Sequence, residues 1–294
     1  MEIIRANNNL NSSEISRIAT KSLIYEVSIS PKAGLVSRYS NGSHNDMNFY
    51  TFIDSTFALE DYFKKCWEYG SKKNIDENFL SDLRQIGKDA ERQMYESTKN
   101  INTHKGTIFS LGIIISVAAN INTKEKKVTS KKIIENIKIV SKNLLDDLKQ
   151  KQQNTKGIDA YQKYGLTGAR GLAISGYEIV FCDGINKLND FLKKYNLETS
   201  LIILLFYYMS KLDDTNIIGR SSFDELQKIK KMSAEEYTKI VENNFSDEMI
   251  VKSMEKFNRY FIKKNISPGG SADLIIITLF VYFLHNYSRG ENGI

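Results

Sequence analysis

The sequence predicts an all-α fold, a single-domain bundle of many helices. Apolar residues recur at spacings of three and four along nearly all of the 294 residues, which is the helical period. Only two prolines occur, Pro31 and Pro268, so few positions force a helix to end. No segment keeps the alternation of a strand for more than a few residues. Because no linker-like composition divides the chain, we predict one domain over residues 1–294.

Capping signals place the helices of the first half. Asn11 and Glu14 form a capping-box pattern that opens the first helix, and Pro31 ends it. Gly70 is the predicted C-terminal cap of the second helix. The predicted helices are 11–29, 48–69, 77–99 and 107–119, with polar loops at 31–47 and 100–106.

The second half continues the helical pattern. Ser130 is the predicted cap of an amphipathic helix that reaches Leu148. A loop at 161–171 is rich in glycine, and Pro268 with two following glycines precedes the last apolar helix. The predicted helices are 130–148, 172–181, 184–195, 198–211, 222–231, 234–243, 247–264 and 272–286.

Composition excludes several classes of protein. Forty-one Lys and Arg against 35 Asp and Glu give a net charge of +6, which suits anionic ligands but is too mild to indicate nucleic-acid binding. Cys66 and Cys182 are the only cysteines, so neither a disulfide framework nor a Cys-based zinc site is expected, and both are interpreted as core thiols. The longest apolar stretches, 113–119, 201–209 and 274–284, fall short of the roughly 20 residues that span a bilayer. We therefore expect a cytoplasmic protein without a membrane or nucleic-acid partner.

Polar loops next to apolar helices are the most informative feature of the chain. They are unusually rich in Gly, His, Asp, Arg, Thr and Asn, and if the helices bundle with these ends together, the loops form one rim around a pocket. These clusters lie at 31–47, 102–106, 164–171, 213–220 and 267–273.

Each kind of side chain in these loops suits an anionic ligand in its own way. The cationic candidates for phosphate binding are Lys32, Arg38, Lys105 and Arg170. The glycines that would let a ligand approach the backbone at helix N-termini are Gly168, Gly269 and Gly270. The hard oxygen donors that could hold Mg²⁺ with phosphate oxygens are Asp46, Asp214 and Asp273. Glu26, late on the first helix, could face the same rim.

Structural roles remain open for several of these residues. Asp46 alone is typical of a helix cap, and His104 is as typical of a capping histidine as of a catalytic one. The glycines could be turn residues, and His285 on an apolar helix indicates packing. No Walker A, dinucleotide-binding or HExxH motif occurs. The residues alone therefore predict a helical enzyme with an anionic ligand.

Six stretches, in this order, resemble the triphosphoribosyl-dephospho-CoA synthases, and any one of them is a modest signal. They are Glu26-Val-Ser-Ile-Ser-Pro-Lys-Ala-Gly-Leu-Val-Ser-Arg38, Gly42-Ser-His-Asn-Asp-Met47, Asn102-Thr-His-Lys-Gly-Thr-Ile-Phe-Ser-Leu-Gly112, Gly165-Leu-Thr-Gly-Ala-Arg-Gly171, Asp214-Thr-Asn216 and Ser267-Pro-Gly-Gly-Ser-Ala-Asp-Leu274. The resemblance covers almost the whole chain, from residue 26 to residue 274.

This resemblance implies an all-α fold and a pentosyl transfer. ATP and 3′-dephospho-CoA would give 2′-(5″-triphosphoribosyl)-3′-dephospho-CoA and adenine, so the N-glycosidic bond breaks and the triphosphate survives. Positive charge then develops on the ribose, and a nearby carboxylate lowers the barrier. The product would pass to a holo-acyl-carrier-protein synthase in the citrate lyase or malonate decarboxylase system.

Site roles follow from this implied reaction as hypotheses. Asp46, Asp214 and Asp273 would hold Mg²⁺ or stabilise the ribosyl cation. His44 and His104 are the candidates for proton transfer, because histidine ordinarily titrates near neutral pH. The residues expected to position ribose hydroxyls are Asn102, Asn216 and Ser271.

Two other functions remain possible from the sequence. A Mg²⁺-dependent helical ADP-ribosyl hydrolase would also use Asp-rich loops, and Asp214-Thr-Asn216 loosely resembles a motif of that group. Its product would be free ADP-ribose rather than adenine with a CoA adduct. A non-catalytic nucleotide-binding protein would bind ATP and release no adenine.

Overall fold

The computed structural model describes residues 1–5, 10–76, 78–146 and 156–290, without the side chains of 156–158. Helices dominate these residues, so the predicted all-α class is confirmed. They are α1 (Ser12–Ser28), α2 (Phe49–Ala58), α3 (Glu60–Lys72), α4 (Phe79–Ser97), α5 (Lys105–Glu125), α6 (Ser130–Ser141), α7 (Lys156–Tyr164), α8 (Gly168–Ile174), α9 (Ile185–Leu192), α10 (Leu197–Lys211), α11 (Thr215–Ile218), α12 (Phe223–Glu242), α13 (Asp247–Lys263) and α14 (Gly269–Ser288). A π-helical segment, Ile179–Gly184, leads into α9.

A small antiparallel sheet is an element that the sequence did not predict. Strand β1 (Glu2–Ile4) pairs with β2 (Val128–Thr129). The strands are too short to show a period of two. Side chains at the end of α14 fix β1, because His285 Nδ1 lies 2.7 Å from the Glu2 carbonyl oxygen and Ser288 donates to the Ile3 carbonyl. His285 is therefore a packing residue, as predicted.

Three apolar helices, α5, α10 and α14, form the centre of the fold. Amphipathic helices cover them, with the most extensive contacts between α3 and α5, α10 and α12, and α1 and α14. The predicted apolar stretches are parts of longer helices, since α5 has 21 residues and α14 has 20. Both are long and apolar enough to cross a bilayer, so the prediction that they are too short was wrong. Most of each helix is buried against its neighbours, as in a protein core.

Helix ends with a local signal lie where the sequence predicts them. The capping box of Asn11 and Glu14 is present, and α10 and α13 begin and end within one residue of the prediction. Where tertiary packing decides, the prediction was wrong. The predicted helix 48–69 divides at Leu59, where no breaker residue stands, and Ser16 of α1 donates to the Glu60 carbonyl at the division.

Other boundaries differ for local reasons. The predicted helices 222–231 and 234–243 are one helix, α12, since nothing between them breaks the period. Thr129, not Ser130, caps α6. The predicted helix 172–181 is interrupted at Gly176 and Tyr177, both with positive φ. Cys182 is exposed rather than a core thiol, whereas Cys66 is buried. Leu148 and the polar stretch 151–155 lie outside the described residues.

Gly70 lies inside α3 rather than at its end, and it allows close contact with α5. A β-carbon added there would stand 2.0 Å from the Ser116 carbonyl oxygen. We expect Gly70→Ala to lower the free energy of unfolding by about 1–3 kcal/mol, because the two backbones would have to separate. Gly87→Ala in α4 is the control: no atom lies within 4 Å of its added β-carbon, so it should stabilise the helix by up to about 1 kcal/mol. Urea unfolding of both variants measures this, and equal effects would contradict the close packing.

Candidate active site

The polar loops converge on one cavity of about 520 Å³, which is within the usual range for ligand sites. It is lined by the end of α1, the loop before α2, and the starts of α5, α8, α11 and α14. The predicted site residues that line it are Lys32, His44, Asp46, Asn102, His104, Lys105, Gly168, Asp214, Asn216, Gly269, Gly270 and Asp273. Arg38, Arg170 and Ser271 are not among its lining residues.

A buried ion pair forms one wall of the cavity. Lys32 Nζ lies 2.7 Å from Glu26 Oε1, and their side chains are only 2% and 4% exposed. Lys32 also donates to the Glu26 backbone carbonyl in the last turn of α1, where a cation is favoured. Burial raises the pKa of Glu26 and lowers the pKa of Lys32, while their mutual attraction opposes both shifts. The pair places one cation and one carboxylate deep in the cavity.

Asp214 ties two loops together with both of its carboxylate oxygens. Oδ1 accepts hydrogen bonds from the Asn216 backbone and side chain, and Oδ2 accepts from the Ser271 backbone and hydroxyl. Burial raises the pKa of Asp214, although these donors and the Gly270 N–H oppose the shift. A carboxylate has about four lone-pair positions, so few remain for a metal ion.

The N-terminus of α14 is therefore already occupied by an anion from the protein itself. Gly269 and Gly270 are needed for this contact, since added β-carbons would stand 3.0 Å from Asn216 Nδ2 and 3.1 Å from Asp214 Oδ1. Ser271 is fully buried behind them. Gly269 and Gly270 were expected to present free N–H groups to a substrate phosphate. In the structure they instead help to orient Asp214.

Asp214→Asn tests this bracing role. The amide nitrogen of asparagine would face either the Ser271 N–H or the Asn216 donors, so a donor would meet a donor. We expect the free energy of unfolding to fall by about 1–3 kcal/mol. Asp213→Asn is the control, because the neighbouring carboxylate pairs with Lys230 and is half-exposed. Equal denaturant midpoints for the two variants would contradict the bracing role.

Asp273 has a different environment, with one oxygen bonded and the other next to Gly106. Oδ1 accepts from Thr107 Oγ1 at 2.5 Å, and a β-carbon added to Gly106 would stand 2.0 Å from Oδ2. Burial, together with Asp214 and Glu26, raises the pKa of Asp273 to about 7, against the Thr107 hydrogen bond. A carboxyl group that titrates near neutral pH can take up or give a proton at working pH.

His44 braces the rim of the cavity through both ring nitrogens. Arg220 donates to Nδ1 at 3.0 Å, so the ring proton is on Nε2, 2.9 Å from Ser267 Oγ. Burial and the Arg220 charge lower its pKa to about 4, although Asp46 opposes the shift. The expected near-neutral titration is absent, because this imidazole is desolvated and lies beside a guanidinium group.

His104 is the more deeply buried histidine, only 2% exposed. Burial and the Lys32 charge lower its pKa to about 3, so it too differs from the expected near-neutral group. Nδ1 lies 2.8 Å from Ser55 Oγ, whereas Nε2 has no hydrogen-bond partner within the described part of the chain. An imidazole in this state is neutral and can act as a hydrogen-bond donor or acceptor.

The remaining predicted residues lie at the rim or outside it. Asp46 is 62% exposed at the rim, and α2 is capped by Asn48 rather than by Asp46. Lys105 pairs with Glu91, and the Asn102 side chain accepts the Lys105 N–H at the start of α5. Outside the cavity, Arg38 pairs with Glu198. Arg170 follows the lining residues Gly168 and Ala169 on α8.

Acidic side chains outnumber basic ones at the cavity, which bears on a metal ion. Its lining holds five carboxyl groups, from Glu26, Asp46, Asp213, Asp214 and Asp273, against three cations, from Lys32, Lys105 and Arg220. A bare triphosphate would be repelled, so an anionic ligand is expected to bring a cation with it. In the described parts of the chain, no three His, Cys, Asp or Glu side chains are grouped to hold a metal. Asp46, Asp214 and Asp273, which the sequence predicted as the metal ligands, are therefore not grouped as one three-carboxylate site.

Several lining residues were not singled out as site residues by the sequence. Arg220 belongs to the predicted polar cluster 213–220 but was given no role, and Phe52 stands among many phenylalanines in helical patterns. Glu26 does carry a signal, since an acidic residue in the last turn of a helix is unfavourable and needs a cationic partner. Lys32, six positions after Glu26, could have been identified as that partner.

Comparison with known proteins gives one consistent result over the whole chain. The profile of the family described as ATP:dephospho-CoA triphosphoribosyl transferase matches residues 12–292. Relatives named probable 2-(5''-triphosphoribosyl)-3'-dephosphocoenzyme-A synthase come from Streptococcus equi subsp. equi (33% identical, covering 93% of this chain and 97% of the relative) and Streptococcus mutans (31%, 92% and 96%). No solved structure matches the chain. This chain belongs to the ATP:dephospho-CoA triphosphoribosyl transferase family.

Proposed function

We propose that this protein transfers the 5-triphosphoribosyl group of ATP to the 2′-hydroxyl of 3′-dephospho-CoA and releases adenine. Family membership supports the reaction. The structural observation that supports it is the position of Asp273, whose pKa is about 7, in the wall of a cavity of about 520 Å³ that Glu26 and Asp214 also line. Three carboxyl groups in one desolvated space provide the negative potential that a developing ribosyl cation needs.

We assign Asp273 as the base that accepts the proton of the attacking 2′-hydroxyl. Its Oδ1 is held by Thr107, so the side chain is oriented while Oδ2 remains available. A base with a pKa near working pH is efficient, because a large fraction of it is ionised and that form can still accept a proton. Glu26 stays paired with Lys32, so it contributes charge to the site without moving a proton.

The cations of the cavity would bind the phosphates. Lys32 is buried, while Lys105 and Arg220 are at the rim, so the triphosphate and the pyrophosphate of dephospho-CoA would extend outward. Mg²⁺ would be held by phosphate oxygens together with Asp46, whose exposed carboxylate has room for such a ligand. When bound, the ion neutralises phosphate charge. Asp214 braces the site from behind.

The cellular location and the biological role are further parts of the proposal. ATP and dephospho-CoA are intracellular metabolites, so we assign the protein to the cytoplasm. The adduct would be passed to a holo-acyl-carrier-protein synthase, which attaches it to citrate lyase or malonate decarboxylase.

A single incubation tests the proposed reaction against its alternatives. The protein is mixed with ATP and Mg²⁺, with and without 3′-dephospho-CoA, and the products are separated by mass spectrometry. We expect adenine and a triphosphoribosyl adduct in equal amounts, and only when dephospho-CoA is present. Adenine with free ribose triphosphate would indicate a hydrolase. ATP binding without adenine release would contradict the transfer.

A further inference from the structure

His104 points an unused polar atom at the cavity. The side chain is 2% exposed, yet it contributes to the cavity lining, and Nε2 has no hydrogen-bond partner in the described structure. A buried polar atom without a partner is unfavourable, so a native protein retains one where a ligand or water completes it. Because His104 also lines the cavity, Nε2 is a candidate contact for a bound ligand.

A chain of two hydroxyl groups behind the ring favours the Nε2–H tautomer of His104. Thr103 Oγ1 donates to Ser55 Oγ at 2.6 Å, and Ser55 Oγ lies 2.8 Å from His104 Nδ1. Because Ser55 receives one proton from Thr103, its own proton is free to point at Nδ1, which then accepts. A neutral imidazole has a single N–H, so it lies on Nε2 and faces the cavity.

The surroundings of the ring favour a neutral donor that meets an uncharged acceptor. Burial and Lys32 keep the pKa of His104 far below neutral pH, so the ring does not become a cation. The Phe52 ring stands edge-on to the imidazole with their centroids 5.0 Å apart, and it also lines the cavity. A donor beside an aromatic wall suits a purine, which offers flat apolar faces and acceptor nitrogens in its plane. Phosphate oxygens would be better served by Lys32 and Lys105.

We propose that Thr103 and Ser55 hold His104 as the neutral Nε2–H tautomer, and that this N–H donates to N3 or N7 of the adenine in bound ATP. The tautomer concerns the protein alone, whereas the contact to adenine rests on the proposed function. Ser55 and Thr103 are positioning residues, and His104 contacts the substrate.

The donated hydrogen bond would help adenine to leave. The C1′–N9 bond breaks with both electrons passing to adenine, and C1′ forms its new bond to the 2′-oxygen of dephospho-CoA. The proton lost by that hydroxyl balances the reaction by completing neutral adenine. His104 keeps its own proton throughout, and its N–H stabilises the negative charge that builds up on the purine ring.

Nitrogen NMR of the ligand-free protein tests the tautomer directly. A spectrum of ¹⁵N-labelled protein separates protonated from unprotonated imidazole nitrogens, and His104→Gln assigns the signals among the three histidines. We expect His104 to show a protonated Nε2 and an unprotonated Nδ1 from pH 5 to pH 8. Ser55→Ala should shift this pattern toward a mixture of tautomers. A protonated Nδ1 in the wild type, or no response to Ser55→Ala, would overturn the proposed relay.

Ser22→Ala is the matched control for Ser55→Ala. Both serines are fully buried, but Ser22 donates within its own helix to the Ile18 carbonyl, and it does not line the cavity. It should leave the His104 signals and the rate of adenine release unchanged. If it changes the His104 signals as Ser55→Ala does, the relay is overturned, since loss of any buried hydroxyl would then suffice.

Kinetics with altered side chains and altered purines test the contact to adenine. His104→Gln places an amide N–H near the Nε2 position and should keep kcat within about tenfold, whereas His104→Ala should lower kcat about 100-fold. One of the two analogues, 3-deaza-ATP or 7-deaza-ATP, lacks the nitrogen that accepts this hydrogen bond, and it should lower the rate of the wild type. On that analogue, His104→Ala should cause no further loss of rate. An equal loss from His104→Ala on ATP and on both analogues would overturn the contact. If the wild type releases no adenine from ATP, the proposed function is contradicted. The NMR test of the tautomer does not depend on that outcome.

Discussion

Replacing Asp273 with asparagine should remove adenine release and at the same time stabilise the fold. Asparagine cannot accept the proton of the attacking hydroxyl, so we expect kcat to fall by about 10²–10⁴-fold while ATP still binds. Its Oδ1 can still accept the hydrogen bond from Thr107, so the local structure should persist. Adenine release is followed by chromatography, and ATP binding by calorimetry. Exposed Asp61→Asn on α3 is the control and should leave both unchanged.

The stability gain should depend on pH in a defined direction. The folded-state pKa of Asp273 is about 7, against 3.8 for an unperturbed Asp, so the folded protein holds this proton more tightly than the unfolded chain. Its contribution to stability is lost as pH rises from about 4 to about 7. The shift corresponds to at most about 4 kcal/mol, and water in the cavity reduces it, so we expect Asp273→Asn to gain about 1–3 kcal/mol at pH 8. The gain should vanish at pH 4. A variant that is less stable at pH 8 would show that Asp273 is not a strained carboxylate.

Replacing Lys32 with methionine should have the largest effect on stability. Glu26 would lose its partner while remaining buried near Asp214 and Asp273, and loss of one member of a buried pair costs about 3–5 kcal/mol. Glu26 would then favour its protonated form, so its pKa would rise further. The loss of stability should therefore be greater at pH 8 than at pH 5. Urea midpoints at the two pH values measure the difference.

The double variant Glu26→Gln with Lys32→Met separates folding from function. Without either charge, no uncompensated ion remains in the cavity wall, so most of the lost stability should return. Adenine release should stay low, because the buried cation for phosphate and the extra carboxylate are both gone. Lys230→Met breaks the more exposed pair with Asp213 and serves as the control, with an effect within about 1 kcal/mol. A double variant as unstable as Lys32→Met alone would contradict the pairing.

Features with local chemical signals were predictable from the sequence. The capping box of Asn11 and Glu14 marks the start of α1, and the apolar period of residues 201–209 marks the buried α10. The convergence of the polar loops was also predicted, because loops at helix ends that share one composition tend to share one place. All five predicted loop clusters contribute lining residues to the cavity.

Features set by tertiary contacts were not predictable in this way. Gly70 has the local appearance of a helix cap, and only the backbone of Ser116 explains its presence inside α3. The separate roles of Asp214 and Asp273 likewise depend on neighbours distant in sequence, Ser271 for one and Thr107 for the other. Histidine pKa values were expected near neutral pH because burial and the nearby cations cannot be seen in the sequence.

A crystal structure of Asp273→Asn with ATP, Mg²⁺ and 3′-dephospho-CoA would show where ATP binds in the cavity. We expect the ribose beside residue 273, the adenine against Phe52 and His104, and the triphosphate directed toward Lys105 and Arg220. ATP bound elsewhere, with the space between Glu26, Asp214 and residue 273 left to solvent, would contradict it.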